Sequence, residues 1–203
     1  MRPPNKFCED ILTANGHSTI DNIWITKKCR MNAETRLNRY STLAHLLTTY
    51  YSLLLIVFTV ANNSLDQYFP KISLCLSIAI LCLSLVMHGF KFGERALMHR
   101  QCYLSLNEIL SSSSTDVEKI SKYTSIIDGY PNHSHIDYVS LIVINNFSSI
   151  KKLKNSEGEI HCSKSLISLF AFRWIGLIFF IILSVSIPLL YFLNNLLHNN
   201  AST

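Results

Sequence analysis

The stretch ISLCLSIAILCLSLVMHGF, residues 72–90, contains no Asp, Glu, Lys or Arg and decides the class of fold. Two other runs share this character, at residues 43–61 and 174–192. Each is about 19 residues long, close to the roughly 20 with which a helix crosses the hydrocarbon core of a bilayer. A chain of 203 residues has too little bulk to bury three such helices in a soluble core. The sequence therefore predicts three transmembrane helices.

The distribution of charge predicts how the three spans are oriented. Lys and Arg are concentrated before the first span and between the second and third, whereas residues 62–71 contain only Lys71 and residues 194–203 contain none. Because cytoplasmic loops carry the excess of Lys and Arg, we expect the N-terminus and the middle segment in the cytoplasm and the C-terminus outside. The net charge of +5 then indicates attraction to anionic lipid in the bilayer, and no direct nucleic-acid binding.

These features predict an all-α membrane protein with a transmembrane hairpin, a cytoplasmic helical subdomain and a third, C-terminal transmembrane helix. The predicted segments are a cytoplasmic N-terminal segment at residues 1–32, the hairpin at 33–90 with spans at about 43–61 and 72–90, the subdomain at 91–167, the third span at 168–193 and an extracytoplasmic tail at 194–203.

Capping and breaking residues predict further helices. A short helix is expected near Glu9–Ala14, and Asn32 is expected to cap a helix that begins at Ala33 and runs into the first span. The middle segment is predicted to contain helices at residues 94–110, 116–127 and 135–153, followed by a polar linker at 155–164.

The stretch PNHSHIDY, residues 131–138, admits two interpretations. His133, His135 and Asp137 have the H-x-H-x-D spacing with which some metallohydrolases begin a metal site. Ser134 and Asp137 also fit the N-cap and the third helical position of a capping box. The metal site would need further ligands on a large soluble scaffold, whereas the segment here is short and helical. The cap interpretation is therefore favoured.

Other signatures of chemistry are absent from the sequence. It contains no GxxxxGK[ST], GxGxxG, GxSxG or HExxH motif, and its six cysteines have no zinc-binding spacing. We therefore predict no enzymatic activity, no catalytic residue, no metal and no cofactor.

Small polar side chains form a stripe along each helix of the hairpin. At 100° per residue, one face of the first span carries Ser41, His45, Thr48, Thr49, Ser52 and Thr59, and one face of the second carries Ser73, Ser77, Ser84 and His88. Either the stripes let the two helices pack closely and form hydrogen bonds with each other, or they line a pore in an oligomer. The residues alone favour packing. No acidic residue lies in a span, which argues against proton-coupled transport.

Several short motifs surround the hairpin in a fixed order. They are IWITKKCR at 23–30, AETRL at 33–37, ERA at 94–96, CYLSL at 102–106, Tyr123, and PNHSHIDY at 131–138. In this order the sequence resembles the SLATT domain, a two-TM effector domain associated with bacterial nucleotide-signalling and conflict systems. It is most similar to subfamily 5 of these domains, which ends in an extra transmembrane helix.

The resemblance implies a function and a set of partners. SLATT proteins are thought to be antiphage effectors that oligomerise, form pores and depolarise the bacterial inner membrane, which arrests or kills an infected cell. The trigger is expected from a cyclic-nucleotide signal or from a genomically linked nucleotidyltransferase, SLOG protein or reverse transcriptase. The alternative is a non-conducting membrane anchor that holds such a partner.

The resemblance also shifts the interpretation of two residue sets. It favours a pore lined by His45, Thr48, Ser52, Thr59, Ser73, Ser77 and Ser84. At the cytoplasmic mouth, an anionic nucleotide or lipid headgroups would contact Lys27, Lys28, Arg30, Arg36, Arg95 and Arg100. For each basic residue taken singly, lipid anchoring is favoured over ligand binding.

Overall fold

The structure, a computed structural model, describes residues 19–61, 69–147, 154–155, 158–159 and 163–201. Its helices are α1 Thr19–Ala61, α2 Phe69–Phe90, α3 Phe92–Ser111, α4 Asp116–Asp128, α5 His135–Phe147 and α6 Lys164–Ala201. Two short strands, β1 Lys154–Asn155 and β2 Gly158–Glu159, pair antiparallel within the predicted polar linker. The all-α prediction is confirmed.

Three stretches are long and apolar enough to cross a membrane: Ile20–Val60, Lys71–Ser111 and Lys164–Tyr191. In the second stretch, Glu94, Arg95 and Arg100 all lie on α3, so its apolar part is α2. Few side chains in the apolar windows are buried, and this exposure suits contact with lipid. The chain is therefore a multi-pass membrane protein.

The first helix begins earlier than predicted. It starts at Thr19 and not at Ala33, so Asn32 lies inside the helix and does not cap it. Residues 19–32 contain no Pro or Gly, and Ile23, Ile25 and Cys29 are buried by tertiary packing, which extends the helix past a residue that often acts as a cap. The predicted helix near Glu9–Ala14 lies outside the described residues.

Helices α4 and α5 begin where their capping residues predict. Helix α4 has Thr115 as its N-cap, and the Thr115 hydroxyl and the Glu118 carboxylate each accept the other residue's backbone N–H. Helix α5 begins at His135 and is described as far as Phe147, within the predicted 135–153. Helix α6 extends beyond the predicted third span in both directions.

The described residues fall into two compact units. The helical subdomain comprises those of Met1–Arg39 and Phe92–Leu169, and the membrane unit comprises those of Tyr40–Lys91 and Phe170–Thr203. Both α1 and α6 contribute residues to the two units.

The core of the helical subdomain lies on two sides of α1. On one side, Ile25 and Cys29 pack against Leu141 and Ile142 of α5. On another side, Ile23 packs against an apolar cluster of α3 residues: Cys102, Leu106 and Ile109. The N-terminal part of α1 is therefore held between α3 and α5.

The core of the membrane unit is apolar and small. Leu54 and Phe58 of α1 pack against Leu76 of α2, with Ile72 and Leu55 at the edge of this cluster. The hairpin is thus held together by Leu, Ile and Phe side chains.

The helical chain is interrupted once between α2 and α3, at Lys91. This residue has a φ of 46°, in the left-handed region, and its N–H donates to the Met87 carbonyl at 3.1 Å. A non-glycine residue in this region costs about 1–2 kcal/mol. The break coincides with the boundary between the two units.

Candidate functional site

The hydroxyl groups of the two stripes do not join the helices of the hairpin. Thr48 donates to the Ala44 carbonyl, Ser52 to Thr48 and Thr59 to Leu55, each at 2.8 Å. On α2, Ser77 donates to the Ser73 carbonyl at 2.9 Å. Each of these bonds closes one turn of the residue's own helix, four residues back. These four hydroxyls therefore do not form the predicted hydrogen bonds between the two helices.

The stripes also lie away from the surface by which α1 and α2 pack. At 100° per residue, Leu54 and Phe58 lie roughly 130° around α1 from the centre of its stripe. Leu76 and Ile72 lie roughly 110° around α2 from the centre of its stripe. His45, Thr59, Ser77 and Ser84 are exposed, whereas Thr48, Ser52 and Ser73 are half-buried.

The two stripes lie on the same side of the hairpin. On each helix, viewed from its own N-terminus, the stripe is displaced from the packing face in the same rotational sense. The two helices of a hairpin run in opposite directions. Because of this, a displacement with the same rotational sense on each helix places both stripes on the same side of the hairpin. We call the exposed surface formed by both stripes the polar face.

Helix α6 contacts α1 on a side other than the polar face. The Tyr50 hydroxyl donates to the Val185 carbonyl at 2.7 Å, and the Tyr51 hydroxyl is bonded to both the carbonyl and the hydroxyl of Ser184. Tyr50 lies roughly 170° and Tyr51 roughly 90° from the centre of the α1 stripe. The third helix therefore leaves the polar face uncovered.

A proline explains why the Ser184 carbonyl of α6 accepts a hydrogen bond from Tyr51. Pro188 lies inside α6 and has no N–H to donate to the Ser184 carbonyl four residues before it. In a membrane, a backbone carbonyl without a partner costs several kcal/mol. Tyr51 supplies the missing donor at 3.3 Å, so a defect in α6 becomes a specific attachment point for α1.

In the helical subdomain, Arg36 is committed to a buried ion pair. Its Nε and Nη2 donate to Oδ1 and Oδ2 of Asp137 at 2.9 and 3.0 Å. The same Oδ2 accepts the backbone N–H of Ser134 at 3.0 Å, which is one half of the predicted capping box. Asn32, expected as a cap, donates instead to the Asp137 backbone carbonyl at 3.1 Å. Asp137 thereby ties α1 to the start of α5.

Two more of the predicted basic residues have partners within the subdomain. Lys27 donates to Asn107 Oδ1 at 2.6 Å, which joins α1 to α3. The Lys28 ammonium lies 5.8 Å from the centre of the Trp24 ring, in a cation–π contact. Arg95 and Arg100 are exposed on α3. The six basic candidates, which look alike in sequence, therefore lie in different environments.

Arg30 differs from the other five because it is completely buried. Its Nη1 lies 3.4 Å from Nδ1 of His99, which is also buried. Burial lowers the pKa of His99 to about 4, and Arg30, Arg36 and Arg95 lower it further by charge repulsion. Burial likewise lowers the pKa of His133 to about 3, with Arg30 and His99 adding to the effect. These residues form a cluster of one cation and two neutral imidazoles, the Arg30 cluster.

The H-x-H-x-D spacing does not produce a metal site in the described part of the chain. Asp137 is engaged by Arg36 and Ser134, His135 is exposed, and His133 belongs to the Arg30 cluster. No group of three or more His, Cys, Asp or Glu side chains there could hold a metal ion.

The sequence did not predict the contacts of Tyr50 and Tyr51 with α6 or the burial of charged and titratable side chains in the subdomain. The Tyr50–Tyr51 pair, together with a proline inside the third span, is a signal that could have predicted the attachment of α6. His99 carries no such signal, because one His on an amphipathic helix is equally compatible with a buried and an exposed position.

Comparison with known proteins identifies the family. Residues 14–194, most of the chain, match the SMODS and SLOG-associating 2TM effector domain family 5. No curated protein and no solved structure matches the chain. The matched range contains α1 to α5 and most of α6, so the third apolar helix belongs to the family pattern. The chain therefore belongs to the SMODS and SLOG-associating 2TM effector domain family 5, as the sequence motifs predict.

Proposed function

We propose that this chain is a pore-forming effector of a bacterial antiphage or conflict system, and that it oligomerises through the polar face and depolarises the inner membrane. The observation that carries the proposal is the polar face itself. Four of its hydroxyls are bonded within their own helices, and several of its side chains are exposed, whereas α6 is attached elsewhere on α1. One hairpin cannot enclose water, so a lumen requires several copies of the chain.

The composition of the polar face suits a lumen better than a lipid contact. Exposed hydroxyl and imidazole groups gain little in hydrocarbon, whereas rings of such groups support water and ions in a channel. The two stripes on one side of the hairpin would let each copy contribute two helices to the wall. His45 and Ser73 are included with Thr48, Ser52, Thr59, Ser77 and Ser84 in this proposed lining.

We place the N-terminus and the helical subdomain in the cytoplasm and the C-terminus outside, at the inner membrane. The distribution of Lys and Arg supports this orientation. Fusion of alkaline phosphatase to the C-terminus should give periplasmic activity, while fusion to the N-terminus should give none. The opposite pattern would reverse the proposed topology.

A cytoplasmic trigger would act on the subdomain, since the family description associates these domains with SMODS and SLOG proteins. We propose a nucleotide signal or a genomically linked partner as the trigger, and no enzymatic activity for the chain itself. The second candidate function is a non-conducting anchor for a nucleotidyltransferase or reverse transcriptase, in which the polar face binds another membrane helix.

Membrane potential in bacteria that express the chain tests the proposal directly. A voltage-sensitive dye should report depolarisation with the parent chain, alone or with its genomic neighbours under phage challenge. The Ser52→Leu, Ser84→Leu double variant should abolish it, because two apolar side chains would replace polar groups of the face.

The matched control is Cys75→Leu, Cys82→Leu, which places leucine at two exposed positions on the opposite side of α2. This variant should depolarise normally. If both double variants depolarise as the parent does, the polar face does not line a pore. If no condition depolarises cells while partner recruitment persists, the anchor is the better description.

A further inference from the structure

The strongest unexplained feature of the subdomain is a buried charge that has no acidic partner among the described residues. Arg30 is 0% exposed, and a guanidinium keeps its charge in proteins. Within the described residues its hydrogen-bond partner is His99, and its Nε–H is buried without any partner. Burying an ionised group without compensation costs several kcal/mol, and a bound anion would offset this cost.

The surroundings of Arg30 are suited to donate hydrogen bonds to such an anion. When Nδ1 of His99 accepts from Arg30, the proton of the neutral imidazole is on Nε2, which becomes a donor. Because the pKa values of His99 and His133 are low, both imidazoles are uncharged at pH 7 and leave the charge of Arg30 unchanged. Cys102 also lies close enough for Arg30 to affect its pKa, although burial dominates and raises that pKa.

The buried acid of the subdomain, Asp137, already has partners. Asp137 forms two hydrogen bonds with Arg36 and one with Ser134, all within the same subdomain. Arg36 and Arg95 add positive potential around His99. The local field is therefore positive, and an external anion would be attracted to the cluster.

We propose that the Arg30 cluster is a binding site for a phosphate group, held by the Arg30 guanidinium and the His99 imidazole and covered by the loop between α4 and α5. A phosphate fits because its oxygens accept hydrogen bonds in several directions and pair with guanidinium Nε and Nη groups in fork geometry. The loop carries His133, which is electrostatically coupled to Arg30, and residues 131–134 are not helical. Displacing the loop admits the anion without unwinding a helix.

The phosphate has two sources with the same chemistry, a soluble phosphate or nucleotide and a lipid headgroup. This site goes beyond the proposed pore, because it exists whether or not the membrane unit conducts. Binding is measured on the purified full chain, so its failure is distinguishable from a failure of the pore proposal.

The test follows thermal unfolding of the subdomain in a glucoside detergent, which contains no phosphate. The chain has two tryptophans, and Trp24 packs in the subdomain core, so a Trp174→Phe background makes fluorescence specific for this unit. Sodium phosphate in the millimolar range, compared with sodium chloride at equal ionic strength, should raise the midpoint by several degrees. In a separate arm, phosphatidylglycerol is added to the micelles in place of soluble phosphate.

The decisive variant is Arg30→Met. Without phosphate it should unfold at the same or a higher temperature than the parent, because an uncompensated buried charge has been replaced by an apolar side chain of similar volume. It should show no phosphate-dependent rise. The control Lys122→Met removes one charge from an exposed position on α4 and should retain the full rise.

A rise with soluble phosphate alone assigns the site to a soluble ligand, and a rise with phosphatidylglycerol alone assigns it to a headgroup. Parent protein that responds to neither additive overturns the proposal. So does an Arg30→Met variant that unfolds at a lower temperature and still responds to phosphate, because Arg30 would then be a structural residue.

Discussion

The helical subdomain and the polar face use polar side chains in opposite ways. In the subdomain, Arg36 and Asp137 are 101 residues apart and meet in a buried ion pair. On the polar face, Thr48 and Ser52 bond to carbonyls only four residues away on their own helix. In the subdomain, polar side chains connect parts of the chain that are distant in sequence, whereas these side chains of the polar face bond only within their own helix. We infer that the polar face is reserved for contacts outside the single chain.

The largest effect is expected where the subdomain depends on its buried ion pair. Arg36→Met leaves the Asp137 carboxylate, 1% exposed, without its counter-ion and should cost about 3–5 kcal/mol of unfolding free energy. Asp137→Asn should cost less, since the Arg36 side chain is 24% exposed and can turn to water. Urea unfolding followed by Trp24 fluorescence in the Trp174→Phe background measures both.

Arg100→Met is the control, because Arg100 is exposed on α3 and its loss should change stability by no more than about 0.5 kcal/mol. Equal losses for Arg36→Met and Asp137→Asn would show that the pair acts through its geometry and not through the buried charge.

The next effect is a loss of subdomain stability in mild acid. Unfolded histidines bind a proton below about pH 6.5, whereas the pKa of buried His99 is about 4 and that of His133 about 3. Between these values the unfolded chain binds more protons, so stability is full above pH 7 and falls as the pH drops from 6.5 toward 4. The loss from His99 alone is at most about 3 kcal/mol.

Unfolding free energies at pH 7.5, 6 and 4.5 test this dependence. His99→Gln should reduce the slope and leave the part that His133 contributes, because Gln retains an acceptor for Arg30 and does not titrate. His135→Gln, a change at an exposed histidine near the same cluster, should leave the curve unchanged. A parent curve without slope between pH 6.5 and 4.5 would mean that the imidazoles can protonate in the folded state.

Within the membrane unit, the contact between α1 and α6 depends on a proline. Tyr51→Phe removes the hydroxyl that donates to the Ser184 carbonyl and should cost about 1–2 kcal/mol. In a Pro188→Ala background the new N–H at position 188 can satisfy that carbonyl, so the same substitution should cost less. Unfolding of the detergent-solubilised protein by SDS gives the four values of this double-mutant cycle.

Tyr191→Phe on α6 is the control for loss of a tyrosine hydroxyl and should have little effect in either background. If Tyr51→Phe costs the same with and without Pro188, the bond to the Ser184 hydroxyl carries the contact, and the freed carbonyl does not.

The sequence predicts the fold well because hydrophobic length and capping are local signals. Residues 72–90 need no other part of the chain to be recognised as a span, and the start of α4 at Asp116 follows from nearby residues. The predicted start of α1 at Ala33 was wrong. Asn32, the expected cap, has a partner 105 residues away, and no local pattern contains that contact. For the same reason, Arg30 and Arg36 look alike in sequence, although one is fully buried and the other is paired with Asp137.

The smallest effect on stability is expected on the polar face, and it distinguishes this face most clearly from the subdomain. Thr48→Val keeps the shape of the side chain and removes a hydroxyl that is bonded to the Ala44 carbonyl of its own helix. That carbonyl keeps its helical hydrogen bond, so the unfolding free energy should change by less than about 0.5 kcal/mol. Depolarisation in the dye assay should nevertheless fall, because an apolar ring in a lumen disfavours water. A marked loss of stability would show that Thr48 holds helices together in the assembled protein, as the buried polar groups of the subdomain do. Unchanged stability with unchanged depolarisation would remove Thr48 from the pore lining and leave Ser52 and Ser84 to define it.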